Sequence, residues 1–157
     1  MNWTREQFSF ADLQRLLLRL AERVKAFQGL KPTEISELLS RAEKCGFAAG
    51  ETIVREGSVG NHMYIILDGE AVVSKKGRGG EVELARLSAT DSFGEMALAD
   101  NEARSATVSA VSACSLVRLS DQVMNSRPEI GVKVYRNIAR VVSARLRNAD
   151  EALAWRL

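Results

Sequence analysis

The sequence predicts an α+β domain: helices, then a compact antiparallel β unit of sandwich or barrel type, then one long helix. Three observations predict it. Apolar residues recur at spacings of three and four through residues 10–45. Short β-type runs broken by turn residues fill 46–120. A second stripe of spacing four, four, four, four, three and four follows Pro128. The chain has 157 residues, 46% of them hydrophobic, which suits one domain with its own core. The expected division of that single domain, 1–157, is N-terminal helices over 1–45, a β unit over 46–120 and C-terminal helices over 121–157.

The first helix rests on Leu13, Leu16, Leu17, Leu20, Val24 and Phe27, and Gly29 ends it. Pro32 or Thr33 starts a second helix, with Glu34 in its first turn and Ile35, Leu38, Leu39 and Ala42 as its apolar face. The β unit is expected from TIV, HMYIIL, EAVVSKK, EVELARL, SATVSAV and CSLVRLS. Turn signals stand between them at 50–51, 57–61, 68–69, 77–80 and 91–94, and GRGG reads as a hairpin tip. The final helix carries Ile130, Val134, Ile138, Val142, Leu146, Ala149 and Leu153 on one face.

Composition narrows the function classes. A net charge of +2 gives no case for nucleic acid or a membrane surface. The N-terminus MNWTREQFSF has no apolar signal region, so a cytoplasmic protein is expected. Cys45 and Cys114 sit in apolar contexts and read as buried free thiols. The single His62 leaves no histidine cluster for a metal and reads as a turn residue. No Ser-His-Asp or Cys-His set can be assembled, and no carboxylate pair is poised for acid–base work, so no catalytic residue is expected. Met63 and Met96 read as core fillers. Trp3 and Trp155 read as terminal packing or a dimer contact.

The segment FGEMALADNEARSATVSA, residues 93–110, carries the chemistry. Gly94 precedes one helical turn, whose first amides point at a common spot suited to an anion. Arg104 can grip that anion through two parallel hydrogen bonds. Ser105 and Ala106 are small enough for the backbone to approach a ligand. Glu95 would repel a phosphate, so its partner is a hydroxyl. On spacing alone, a Glu95–Arg104 ion pair explains the two residues equally well.

This segment resembles the phosphate-binding cassette of cyclic nucleotide-binding domains, the family of catabolite activator proteins, protein kinase A regulatory subunits and cyclic nucleotide-gated channels. Phe93, Gly94, Glu95, Ala97, Leu98, Arg104, Ser105, Ala106, Val108 and Ala110 fill its pattern. Residues 53–73 resemble the family's second signature through Gly57, Gly60, the run 63–67 and Gly69, with Ser58 a departure. The resemblance implies a jelly-roll-like β-roll flanked by helices. It implies that Glu95 accepts from a ribose 2′-hydroxyl and that Arg104 takes a cyclic phosphate. Amides around Gly94, Ala97 and Ala106 would complete the cradle, with Met96 beside them and Ser105 reaching the phosphate or a purine edge. The last helix would cover the base, and Arg145 is the best lid candidate. The stretch LSDQVMNSRPEI is about one turn shorter than in the family, so the helix before the last should be short.

The implied function is a non-catalytic sensor of cAMP or cGMP, with closure of the C-terminal helix as the switch and no cofactor. The chain stops at Leu157 without a helix-turn-helix pattern, so a nucleic-acid partner is not expected. The apolar helix faces also fit a homodimer, or an effector protein as partner. Two other readings remain: a relative of this fold using a cyclic dinucleotide, and a helix-mediated interaction protein with a vestigial pocket.

Overall fold

The computed structural model describes residues 5–6 and 10–156, with side chains from residue 14 onward. Trp3 and the side chain of Leu13 lie outside that description. The helices come first: α1 (Phe10–Arg23), a 3-10 turn (Lys25–Phe27) and α2 (Pro32–Arg41). The strands follow as β2 (Glu43–Phe47), β3 (Thr52–Val54), β4 (His62–Asp68), β5 (Ala71–Gly77), β6 (Gly80–Leu87), β7 (Ser92–Phe93), β8 (Thr107–Ala110) and β9 (Cys114–Ser120), with β1 (Arg5–Glu6) before α1. The short helix α3 (Met96–Asp100) sits between β7 and β8, and α4 (Asp121–Ser126) and α5 (Pro128–Ala154) close the chain.

The strands form two antiparallel sheets, β1-β2-β9-β4-β7 and β3-β8-β5-β6. Strand alternation assigns each face a different neighbour. On β4, Tyr64 and Ile66 point into the roll with Phe93, Val108 and Leu116, whereas Met63 and Ile65 point outward. On β9, Leu116 faces inward and Val117 and Leu119 face outward. The outward residues pack against Leu20, Phe27, Leu38, Met124, Ile130 and Val134 of the helices. So β4 is buried on both sides, which is why its sequence is almost continuously apolar.

Two expectations are corrected here. The N-terminal helical region ends at Arg41, not at residue 45: Glu43–Phe47 is a strand paired along β9. Cys45 and Phe47 are buried and stand two positions apart, a strand period hidden beside a helical stripe. His62 is not in a turn; it is the first residue of β4, opposite Ser120. Both cysteines are free and buried, and burial pushes the Cys45 thiol up to about 11.

α5 divides into two halves. Ile130, Val134 and Ile138 are buried, and burying such a side chain stabilises by about 1.5–3 kcal/mol. Asn137 is buried with them, and its Nδ2 donates to the carbonyls of Ala26 (2.9 Å) and Gln28 (2.8 Å). Lys133 pairs with Glu34 at 2.8 Å, and Arg127 pairs with Glu37. Farther along, the predicted stripe is open to solvent: Leu146 is 62% exposed and Leu153 58%. Trp155 is exposed rather than packed. No helix among the described residues is long and apolar enough to cross a membrane.

Candidate ligand site in the cassette cavity

Gly94 adopts φ +75°, a left-handed turn that ends β7 and starts the cassette. Glu95 follows as the N-cap of α3, and Asn101 closes that helix in the left-handed region. The chain then returns through Arg104, whose amide donates to Ser58 O at 2.7 Å, into β8. This short path brings both ends of the cassette to one cavity of about 370 Å³. The volume falls within the roughly 300–1,000 Å³ range of small-molecule sites.

All eight candidate residues, Gly94, Glu95, Met96, Ala97, Arg104, Ser105, Ala106 and Arg145, line this cavity. Val54, Val73, Leu87 and Val108 form an apolar wall from the roll. Met96, read as a core filler, is instead 48% exposed at the rim; Met63 does fill the core. The polar spacer of Asp100, Asn101 and Glu102 is exposed, as expected, and its two acids also line the cavity.

Arg104 is seated rather than loose. Its Nη2 donates to His62 O at 2.9 Å and its Nη1 to Gly94 O at 3.3 Å. The guanidinium lies over the Tyr64 ring, 5.9 Å from its centroid, and Tyr64 stacks on Phe93 at 5.0 Å. Burial pulls the Arg104 pKa down from its ordinary value, while Tyr64 and Glu95 oppose that shift. Two of the five guanidinium donors are spent on carbonyls, which orients the group and leaves the others for an anion. Room for this seat comes from glycines. A Cβ at Gly60 would stand 2.8 Å from Arg104 Nη2, and one at Gly94 would overlap Nη1.

Glu95 pairs with Arg145 of α5, not with Arg104: Arg145 Nη1 donates to Glu95 Oε1 at 2.8 Å. That excludes the internal Glu95–Arg104 ion pair as the reason for the two residues. Glu95 Oε2 is enclosed and has no hydrogen-bond partner among the described residues. Of the expected cradle amides, that of Ala97 is already committed within the turn, donating to Gly94 O at 3.1 Å. A smaller cavity of about 160 Å³ shares Leu87, Ser92, Glu95 and Arg145 with this one and is lined also by Arg23, Lys25 and Thr90. Sequence reasoning did not anticipate the His62 carbonyl or Tyr64 as supports for Arg104. The Gly60 match to the second signature was the available signal for the first of these.

The chain is similar to known proteins. A sequence profile described as the cyclic nucleotide-binding domain matches residues 45–126. A cAMP-dependent protein kinase regulatory subunit of Mycosarcoma maydis is 36% identical over 104 residues, 66% of this chain and 20% of the relative. A CRP-like cAMP-activated global transcriptional regulator of Mycobacterium tuberculosis is 28% identical over 137 residues, 84% of this chain and 59% of the relative. The chain therefore spans less than two thirds of the length of these relatives. Among solved structures, the Thermus thermophilus catabolite activator protein aligns with a TM-score of 0.77 and 31% identity, over 83% of this chain and 62% of that one.

Proposed function

Because the chain belongs to the cyclic nucleotide-binding domain family, we propose that its cassette cavity binds cAMP and that α5 reports occupancy to a partner. The observation that carries this reading is the meeting, in one cavity with an apolar wall, of an oriented guanidinium and an enclosed carboxylate with an unbonded oxygen. Arg104 takes the cyclic phosphate through parallel hydrogen bonds. Glu95 accepts from the ribose 2′-hydroxyl. The purine lies against Val54, Val73, Leu87 and Val108. The names of the similar kinase subunit and transcriptional regulator favour cAMP over cGMP. The role is regulatory and non-catalytic: ligand binding shifts α5 between positions by its differential affinity for them.

Calorimetric titration with cAMP and cGMP, on the parent and on Arg104→Ala, tests the reading. The parent is expected to bind cAMP more tightly than cGMP. Arg104→Ala should lose about 2–5 kcal/mol, tens- to thousands-fold in affinity, because an enclosed phosphate loses its cation. Absence of binding by the parent at millimolar nucleotide refutes the reading. Equal binding by the variant refutes the phosphate assignment.

A further inference from the structure

Four strands of one sheet place one side chain each in a single row. Phe93 of β7 stands opposite Tyr64 of β4, Tyr64 opposite Arg118 of β9, and Arg118 opposite Glu43 of β2. Residues directly opposite in antiparallel strands project to the same face, so each can touch the next. All three contacts are made. The Tyr64 and Phe93 rings stack with 5.0 Å between centroids and 6° between planes. Arg118 Nε donates to Glu43 Oε2 at 2.7 Å. Arg118 also hydrogen-bonds the Tyr64 side chain: desolvation pulls its pKa down, but the bonds to Glu43 and Tyr64 outweigh that and leave it raised. The hydroxyl is the one polar atom of that side chain, so the guanidinium donates to it.

The row is sheltered. Tyr64 and Phe93 are buried, and the side chains of Arg118 and Glu43 are 19% and 23% exposed. Arg104 rests on this row, its guanidinium over the Tyr64 ring. Arg118 itself does not reach the ligand cavity. It lines a separate polar cavity of about 310 Å³ with Arg41, Glu43 and His62.

We propose that Arg118 is a positioning residue for the phosphate, acting through Tyr64: it holds the phenol by its hydroxyl so that the ring stays fixed beneath the Arg104 guanidinium. The effect on affinity rests on the ligand reading above; the effect on Arg104 rests on the fold alone. The ring torsion of a tyrosine is broad. The stack on Phe93 constrains the plane of the ring, and the bond from Arg118 fixes its tip along the row. Two guanidiniums thus flank one phenol. Glu43 offsets the charge of the one that takes no ligand, which limits its repulsion of Arg104.

The test compares the full chain with Arg118→Met, Tyr64→Phe and the double variant, with thermal midpoints to verify folding. Tyr64→Phe breaks the same link from the other side and keeps the Arg118–Glu43 pair, so it carries the test where Arg118→Met fails to fold. Each is titrated with cAMP, and heteronuclear NMR follows the Arg104 guanidinium in the ligand-free chain, assigned through Arg104→Lys. Each single variant should weaken cAMP by about three- to tenfold, less than the full worth of a hydrogen bond to a charged group because it reaches the phosphate through Tyr64. Each should also shift and broaden the Arg104 signals. The double variant should lose no more than either single one. Unchanged Arg104 signals would overturn the proposal, as would cAMP affinity within about twofold of the parent. So would a full additional loss on adding Arg118→Met to Tyr64→Phe, because Arg118 would then act by another route. A parent that binds no nucleotide refutes the ligand reading alone, and the Arg104 signals then decide whether Arg118 holds the seat.

Discussion

Gly94→Ala places a methyl in the seat of Arg104. Two costs can be worked out separately. The residue sits at φ +75°, where an L side chain is strained by about 1–2 kcal/mol. The new Cβ would also overlap Arg104 Nη1 and stand 3.1 Å from His62 O. The guanidinium must then leave one or both of its carbonyl partners, a further loss of about 1–2 kcal/mol at this half-buried position. The sum is about 2–4 kcal/mol. For a domain of this size that lowers the midpoint of thermal unfolding by roughly 5–15 °C. Calorimetric scanning measures it, with Gly79→Ala as control, because a Cβ there meets nothing within 4 Å. Nucleotide titration on the same samples should show affinity reduced at least about tenfold, since the phosphate partner is displaced. A midpoint within about 2 °C of the control would refute the seat. So would a large loss of stability with affinity unchanged, because the strain would then be real and the coupling to Arg104 would not.

Asn137→Ala removes both hydrogen bonds that tie α5 to the 3-10 turn and leaves the Ala26 and Gln28 carbonyls without that donor; urea unfolding should show a loss of about 2–4 kcal/mol. The pH dependence has a defined sign at Glu34, whose pKa is lowered by the hydrogen bond from Lys133 and then by the Lys31 amide. A carboxyl with a lower pKa when folded contributes stability above its unfolded value, near 4.5, and loses it as pH falls through the lower folded value. Thermal midpoints of the parent should therefore drop on that acid limb, and Glu34→Gln should flatten it; an unchanged slope refutes the contribution.

The cassette was legible because its chemistry is local. Gly94, Glu95 and Arg104 lie within eleven positions of sequence, and the turn that unites them is written in the same residues. Most strands were legible because alternation and turn residues agree. The missed strand Glu43–Phe47 follows a helix without a break and contains a glycine, so a helical reading ran on through Ala42 to Cys45. What the sequence could not disclose are partners set by packing. Arg145 is fifty positions from Glu95, and nothing in its neighbours marks it apart from Arg140 or Arg147. The α5 stripe shows the same limit from the other side. Its period continues to Leu153, but the body of the domain covers it only to about Val142. Periodicity reports that a face is apolar; only the fold says what covers it.

The position of Arg145 also bears on how occupancy could reach α5. An ion pair with a partner as exposed as Arg145 ordinarily contributes about 0–1 kcal/mol, too little to hold half a helix firmly. From the carboxylate's side the balance differs, because an enclosed charge that loses its cation is costly. The contact is therefore weakly held by the helix and strongly needed by Glu95. Binding free energies are reciprocal: if Arg145 raises the affinity for the sugar hydroxyl by some factor, bound ligand raises the docking of Arg145 by the same factor. A coupling of about 1–3 kcal/mol, ordinary for linked sites, would outweigh the pair's own contribution. It would convert a marginal contact into a populated one. The domain leaves the apolar face of α5 open beyond about Val142, whereas Ile130, Val134 and Ile138 are buried in it.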